Sequence, residues 1–95
     1  MKVTEVRIRQ LINEQELKAF ASVTLDNGLA LNDIRVIHGK RGYLNVFYPS
    51  SPYRKKSNQP LYCPINNETH RMIEAAVIAA YMEKLVAEEV GENVG

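Results

Sequence analysis

Two short turns in the first half of the chain, Asp26-Asn27-Gly28 and Gly39-Lys40-Arg41-Gly42, constrain the fold most. Each turn lies between segments in which apolar and polar residues alternate, as they do along half-buried strands. Asn and Gly accept the positive φ angles that tight hairpin turns need. Because strands joined by such short turns pair in the antiparallel sense, the sequence predicts a meander of β-hairpins.

Four segments carry the strand pattern: residues 3–12, 17–25, 29–38 and 43–48. In the first, Val6 and Ile8 face one way and Arg7 and Arg9 the other. In the second, one face holds the following apolar residues: Leu17, Ala19, Ala21, Val23 and Leu25. The alternation in the third changes phase at Asn32-Asp33, which predicts a β-bulge. Residues 61–63 lie between Pro60 and Pro64 and predict a short fifth strand at an edge.

One long helix follows, beginning at Asn66 or Asn67, either of which can cap its N-terminus. Glu68 suits the positive end of the helix dipole. Gly91 predicts the end of the helix, and we expect a flexible acidic tail over residues 91–95. The predicted fold class is therefore α+β: an antiparallel sheet of four to five strands followed by one long C-terminal α-helix.

The helix has two apolar stripes at helical spacing. The first comprises Ile73, Val77, Ala80 and Tyr81, and the roughly opposite second comprises Ala75, Ile78, Ala79, Met82 and Val86. A helix that lies on one sheet needs only one such stripe. We therefore expect a second copy of the chain to cover the other stripe and predict a homodimer. The alternative is a cover made by residues 50–60 of the same chain.

Composition and charge narrow the class of protein. The chain is 45% hydrophobic and 24% charged, which is typical of one globular domain at 95 residues. No apolar run reaches the length of a membrane span, and the N-terminus shows no signal-peptide pattern. With the single cysteine Cys63, these features predict a cytoplasmic protein without a membrane partner. Residues 1–56 hold ten Lys/Arg and five Asp/Glu, whereas residues 57–95 hold two and six.

The sequence contains no catalytic constellation. His38 and His70 lack a second ligand at metal spacing, and Cys63 stands alone. Ser50 and Ser51 have no nucleophile-elbow context, and the turn at residues 39–42 is not a P-loop. We therefore expect neither an enzyme nor a protein that uses a cofactor, a metal or a small-molecule substrate.

The cations that remain are candidates for binding phosphate. Three places hold them: the hairpin tip Lys40 and Arg41; the loop with Tyr53, Arg54, Lys55 and Lys56; and the helix start with His70 and Arg71. A tyrosine beside cations can stack on a base while the cations contact phosphates. Backbone N–H groups at a helix start also attract phosphate, although Glu68 opposes this. The alternative is that the tip and the loop are simply solvated.

Several stretches carry a resemblance to a known family: VTEVRIRQL, DIRVI followed by Gly39 and Gly42, Pro49-Ser50, and CPIN with Thr69 opening the helix. In this order and spacing they resemble the SpoVG family, stage V sporulation protein G, over about residues 1–82. The resemblance implies one SpoVG-like domain, assigned to residues 1–90, that forms dimers. It also implies a regulator of sporulation or septation that binds DNA and RNA without strong site preference and has no enzymatic activity.

The helix start departs from the family pattern. Members often carry Arg where this chain has His70 and Lys where it has Met72, whereas Arg71 occupies a position that is usually small. This helix start is therefore less basic than the resemblance implies. The loop after Ser50 varies within the family, and here it carries Arg54, Lys55 and Lys56.

Two hypotheses of function follow. The first is a homodimeric nucleic-acid-binding regulator with low sequence specificity, because nothing in the sequence resembles a helix shaped to read base edges. The second is a protein–protein interaction module in cell division or sporulation that does not touch nucleic acid. The first assigns function to the cations, and the second assigns it to the apolar surfaces.

Overall fold

A computed structural model describes residues 1–12, 14–39, 42–50 and 61–94. Its elements are the strands β1 (Val3–Leu11), β2 (Leu17–Leu25), β3 (Leu29–His38) and β4 (Leu44–Phe47), and the helix α1 (Asn67–Val94). The strands form one antiparallel sheet in the order β1-β2-β3-β4. The α+β fold, with a four-stranded meander followed by one helix, is confirmed. The homodimer stays a prediction.

The predicted fifth strand at residues 61–63 is wrong. The chain bends here, and the Leu61 N–H group donates a hydrogen bond to the Pro49 carbonyl at 2.7 Å. Proline has no N–H group to donate, so the prolines on either side of this three-residue segment leave it few donors for a strand ladder.

The bulge predicted at Asn32-Asp33 is present. On β2, Ala21 pairs with Ile34 and Val23 pairs with Leu31, so β3 has one residue more than β2 between these pairs. Asp33 has φ 62°, a left-handed conformation that Asp tolerates better than most residues. The bulge lets both Leu31 and Ile34 face the core although their sequence phases differ.

A second irregularity changes the predicted face of Leu17. Ala19 pairs with Val36, yet Leu17 pairs with Ile37, so β2 has an extra residue between the two pairs. Because neighbouring residues on a strand point to opposite faces, Ile37 and its partner Leu17 lie on the face opposite Val36. Ala19, Ala21, Val23 and Leu25 are buried together as predicted, but Leu17 leaves their row.

The turn between β2 and β3 closes one residue earlier than its Asn-Gly signal predicts. Positive φ occurs at Asp26 (50°) and Asn27 (54°), and Gly28 N–H donates to the Leu25 carbonyl at 2.9 Å. The Asp26 carboxylate accepts a hydrogen bond from Lys2 N–H at 2.9 Å, which fixes the start of β1 beside the turn.

The second turn is closed by its two glycines. The Gly42 N–H group donates to the Gly39 carbonyl at 3.0 Å, and Gly39 N–H donates to the Tyr43 carbonyl at 2.8 Å. Gly42 has φ 83°, a backbone conformation that favours glycine. The predicted hairpin between β3 and β4 is therefore confirmed.

The core lies between α1 and one face of the sheet. From the helix it receives Ile73, Val77 and Tyr81. From the sheet it receives Ala19, Ala21, Val23, Leu25, Leu31, Ile34, Val36 and Val46, while Val6 and Ile8 pack at its margin. The two alanines of β2 are fully buried, and their small side chains leave room for the larger helix residues. The first apolar stripe of the helix is thus confirmed as the core-facing one.

Asn66 is the residue that caps the helix. Its side-chain oxygen accepts a hydrogen bond from Thr69 N–H at 2.7 Å, while its carbonyl accepts from His70 N–H at 3.2 Å. The helix continues to Val94, three residues beyond the stop expected at Gly91. Among the helical residues described, none belongs to a segment with the length and apolar composition of a membrane span.

The cap gives a direct test of the helix start. Asn66→Ala removes the acceptor for the Thr69 N–H group and should lower the free energy of unfolding by about 1 kcal/mol. Asn67→Ala is the matched control, because Asn67 is already helical and should change stability much less. Urea denaturation followed by circular dichroism measures both. Equal losses in the two variants would contradict the assignment of Asn66 as the cap.

Candidate functional site

The structure describes two of the predicted nucleic-acid contacts. His70 and Arg71 are the fourth and fifth residues of α1; Arg71 is exposed and His70 is half-buried. The other predicted contacts lie outside the described residues: Lys40, Arg41, Tyr53, Arg54, Lys55 and Lys56. Their role remains a prediction from the sequence.

His70 is held by partners on both sides of its ring. The Tyr48 hydroxyl lies 3.0 Å from Nδ1, and a Glu74 carboxylate oxygen lies 3.4 Å from Nε2. A neutral imidazole protonated at Nε2 satisfies both contacts, because Nδ1 then accepts from Tyr48 while Nε2–H points to Glu74. No local sequence pattern indicates Tyr48 as the partner of His70, since the two residues are 22 positions apart.

Two tyrosines extend this group into an aromatic cluster. The Tyr48 ring packs edge-on against both Tyr62 and His70, with ring centroids 5.8 Å apart in each pair. The Tyr62 hydroxyl donates to the Asn32 carbonyl at the β3 bulge. The cluster therefore joins the bulge, the end of β4, the segment before the helix and the first helical turn. The contacts of Tyr62 fix the segment before the helix in place, although that segment is not part of a strand.

Burial changes the acidity of both tyrosines. It raises the pKa of Tyr48 to about 12, and the Glu74 carboxylate and Cys63 add to the shift. Burial also raises the pKa of Tyr62 to about 12, with further contributions from Asp33 and Tyr48. Both phenols therefore stay neutral near pH 7 and act as hydrogen-bond donors.

A cleft of about 430 Å³ lies beside this cluster, between β4 and the helix start. Its lining residues include Asn45, Phe47, Ser50, His70 and Glu74. The Glu74 carboxylate opposes an anion in the cleft, since like charges repel. Among the described side chains, no group of three potential ligands could hold a metal ion. The cluster is suited to hydrogen bonding and to fixing the helix start.

Few cations of the N-terminal half are neutralised by described acids. Arg7 forms an ion pair with Glu5, two residues away on the same strand. Within the described part of residues 1–50, no other Lys or Arg forms an ion pair. Arg7 is therefore neutralised by an acid of its own strand. Positive charge otherwise remains available on this half of the protein.

The second apolar stripe of the helix is not covered by any element that the structure describes. Met82 is 50% exposed and Val86 58% exposed, while Ala75 and Ala79 are also exposed. Ile78 is half-buried at the margin of the core. No described element packs over this stripe, and the alternative cover, residues 50–60, lies almost entirely outside the described part. The stripe is thus a surface on which a partner can dock.

These features define a class: a small α+β protein in which one helix covers one face of a four-stranded meander, with a hydrogen-bonded aromatic cluster at their junction. The sequence profile of the SpoVG family matches residues 1–83. The chain belongs to the SpoVG family.

Relatives in several bacteria agree with this assignment. The chain is 40% identical over 93 residues to the "Putative septation protein SpoVG" of Clostridium beijerinckii, covering 98% of this chain and 100% of the relative. It is 40% identical over 90 residues to the protein of that name from Clostridioides difficile, covering 95% and 97%. It is 41% identical over 83 residues to the protein of that name from Macrococcus caseolyticus, covering 87% of this chain and 71% of the relative.

The raised tyrosine pKa values predict a loss of stability at high pH. Because the pKa of Tyr48 is about 12 in the folded chain and 10.0 ordinarily, its stabilising contribution is complete below pH 10. The contribution then declines as pH rises towards 12. Tyr48→Phe should therefore show a smaller fall in unfolding free energy between pH 9 and 12 than the parent protein. Urea denaturation across this range measures the difference.

Tyr43→Phe is the control for this comparison, because Tyr43 is 71% exposed and lies outside the cluster. It should follow the pH dependence of the parent protein. If Tyr48→Phe and Tyr43→Phe gave the same profile, the coupling of the Tyr48 phenol to folding would be contradicted.

Proposed function

We propose that this chain is a homodimeric nucleic-acid-binding regulator of the sporulation or septation type, with low sequence specificity. The observation that carries the proposal is the positive charge of the N-terminal half. Residues 1–56 hold ten Lys/Arg against five Asp/Glu, and Arg7 is the one cation in an ion pair within the described part of residues 1–50. Cations without such partners suit a phosphate backbone.

Three consecutive cations give this charge its densest point. Arg54, Lys55 and Lys56 follow Tyr53 in the sequence, and a dimer carries two such runs. Contacts to phosphates position a protein without reading the base sequence, so this mode of binding predicts weak sequence preference. The names of the relatives connect them with septation, which supports a cellular role of this type.

The second candidate is a protein–protein interaction module that acts without nucleic acid. It is favoured by an apolar cleft of about 290 Å³ at the end of the sheet, near exposed Leu29 and Ile65. This candidate predicts that the loop cations can be removed without loss of function. The two candidates therefore differ in one measurable property, the binding of oligonucleotides.

Fluorescence anisotropy of labelled DNA and RNA, titrated at several salt concentrations, tests the first candidate. If six loop cations of a dimer neutralise about six phosphates, the slope of log K against log salt is about −5. Changing Arg54, Lys55 and Lys56 together to alanine should flatten that slope by several units and weaken binding at low salt.

The matched control removes three scattered exposed cations by changing Lys2, Arg9 and Lys84 to alanine. It lowers net charge equally and should change the slope much less than the loop variant. Equal effects of the two triple variants would show that net charge, rather than the loop, governs binding. Absence of saturable binding by the parent protein, even at low salt, would refute this function.

The dimer is tested separately at the exposed helix stripe. Met82→Glu places a charge in the centre of the stripe and should convert a dimer to a monomer, because an interface core excludes an unpaired charge. Ala87→Glu adds the same charge elsewhere on the helix and should leave the dimer intact. Light scattering coupled to size-exclusion chromatography gives the mass. A dimeric Met82→Glu protein would place the interface elsewhere.

A further inference from the structure

The face of the sheet opposite the helix carries an ordered row of side chains. Gln10 pairs with Phe20, Phe20 pairs with Arg35, and Arg35 pairs with Phe47. Directly paired residues of antiparallel strands project to the same face, with Cβ atoms about 5 Å apart. The row therefore crosses all four strands and places Arg35 between two phenylalanines that are about 10 Å apart.

This face is open to solvent. Phe47 is 53% exposed, Arg35 is exposed and Phe20 is half-buried. None of the three belongs to the core or to the side chains packed against it. In the described part of the chain, no element packs over this face, since α1 lies on the other. Exposed aromatic rings beside a cation can stack on bases while the cation contacts phosphate.

Charge on this face favours an anionic ligand. No described carboxylate forms an ion pair with Arg35, and the acid Glu5 on the same face is already paired with Arg7. Ser22, Thr24 and Asn45, which pair onto this face, are neutral. Two further described acids lie near the row: Asp33 in the bulge two residues before Arg35, and Glu74, which lines the cleft beside Phe47 and contacts His70.

We propose that the row Phe20–Arg35–Phe47 is a stacking platform for single-stranded nucleic acid. Each phenylalanine ring stacks on an unpaired base, while the guanidinium of Arg35 contacts a phosphate or stacks on a base itself. A duplex cannot use this platform, because its bases are already stacked on one another. The proposal rests on the nucleic-acid-binding function above and names both the surface and the class of ligand.

Anisotropy with a single-stranded oligonucleotide and with a duplex of equal length tests the proposal. Phe47→Leu keeps an apolar side chain but removes the aromatic ring, so it should weaken single-strand binding about 5- to 100-fold, with little change in salt slope. Arg35→Gln should weaken binding and reduce the slope by about 1 for each bound protomer. Leu61→Ala, which truncates a 63% exposed apolar residue outside the sheet, is the control and should bind like the parent.

A second readout follows from the absence of tryptophan in the sequence. Phe47→Trp introduces one fluorophore into the row, and stacking on a base should quench its emission as the single strand is added. Leu61→Trp is the matched control, and its emission should change little. Circular dichroism of each variant confirms that it folds, so a loss of binding can be assigned to the row.

The outcomes separate this proposal from the function on which it rests. If the parent binds with steep salt dependence but Phe47→Leu binds equally well and Phe47→Trp is not quenched, the platform is refuted and the function stands. If the parent binds no nucleic acid, both fail. If Phe47→Leu changes the mass of the assembly measured by light scattering, the face is an interface between copies and the platform is overturned.

Discussion

The packing of α1 on one face of the sheet determines which of the described apolar surfaces are buried and which are exposed. Ile73, Val77 and Tyr81 share a core with the fully buried Ala19 and Ala21 of β2. One helix can cover only one face, so the outer helix stripe and the opposite sheet face are left uncovered by the described residues. These two surfaces have different chemistry. The helix stripe is aliphatic and suits a second copy, whereas the sheet face combines aromatic rings with a cation.

The aromatic cluster fixes where that helix begins. Tyr48 hydrogen-bonds to His70, and Tyr62 reaches the Asn32 carbonyl at the bulge of β3. A bulge therefore serves two purposes here: it brings Leu31 and Ile34 to the same face, and it lies beside the carbonyl that holds Tyr62. Both ring nitrogens of His70 have partners within the chain. His70 therefore helps to fix the helix start without a ligand.

Local patterns were sufficient to predict most elements. Alternation predicted the four strands, the change of phase predicted the bulge near Asp33, and an asparagine with a following helical pattern predicted the cap at Asn66 or Asn67. The prediction of a fifth strand was wrong because only three residues lie between Pro60 and Pro64, and neither proline can donate to a strand ladder. The predicted face of Leu17 was wrong because the register irregularity depends on how β2 pairs with β3. Leu17 pairs with Ile37 on β3, and this pairing cannot be read from the sequence of β2.

The candidate surfaces also differ in whether local sequence patterns can predict them. The sequence by itself determined the strands, the helix with its two apolar stripes, and the excess of cations in the first half, because each depends on residues close together in the chain. Only the tertiary structure decided that Phe20, Arg35 and Phe47 form one row, and that Tyr48 contacts His70. Strand register and helix docking bring such residues together, and both are set by the packing of the whole core.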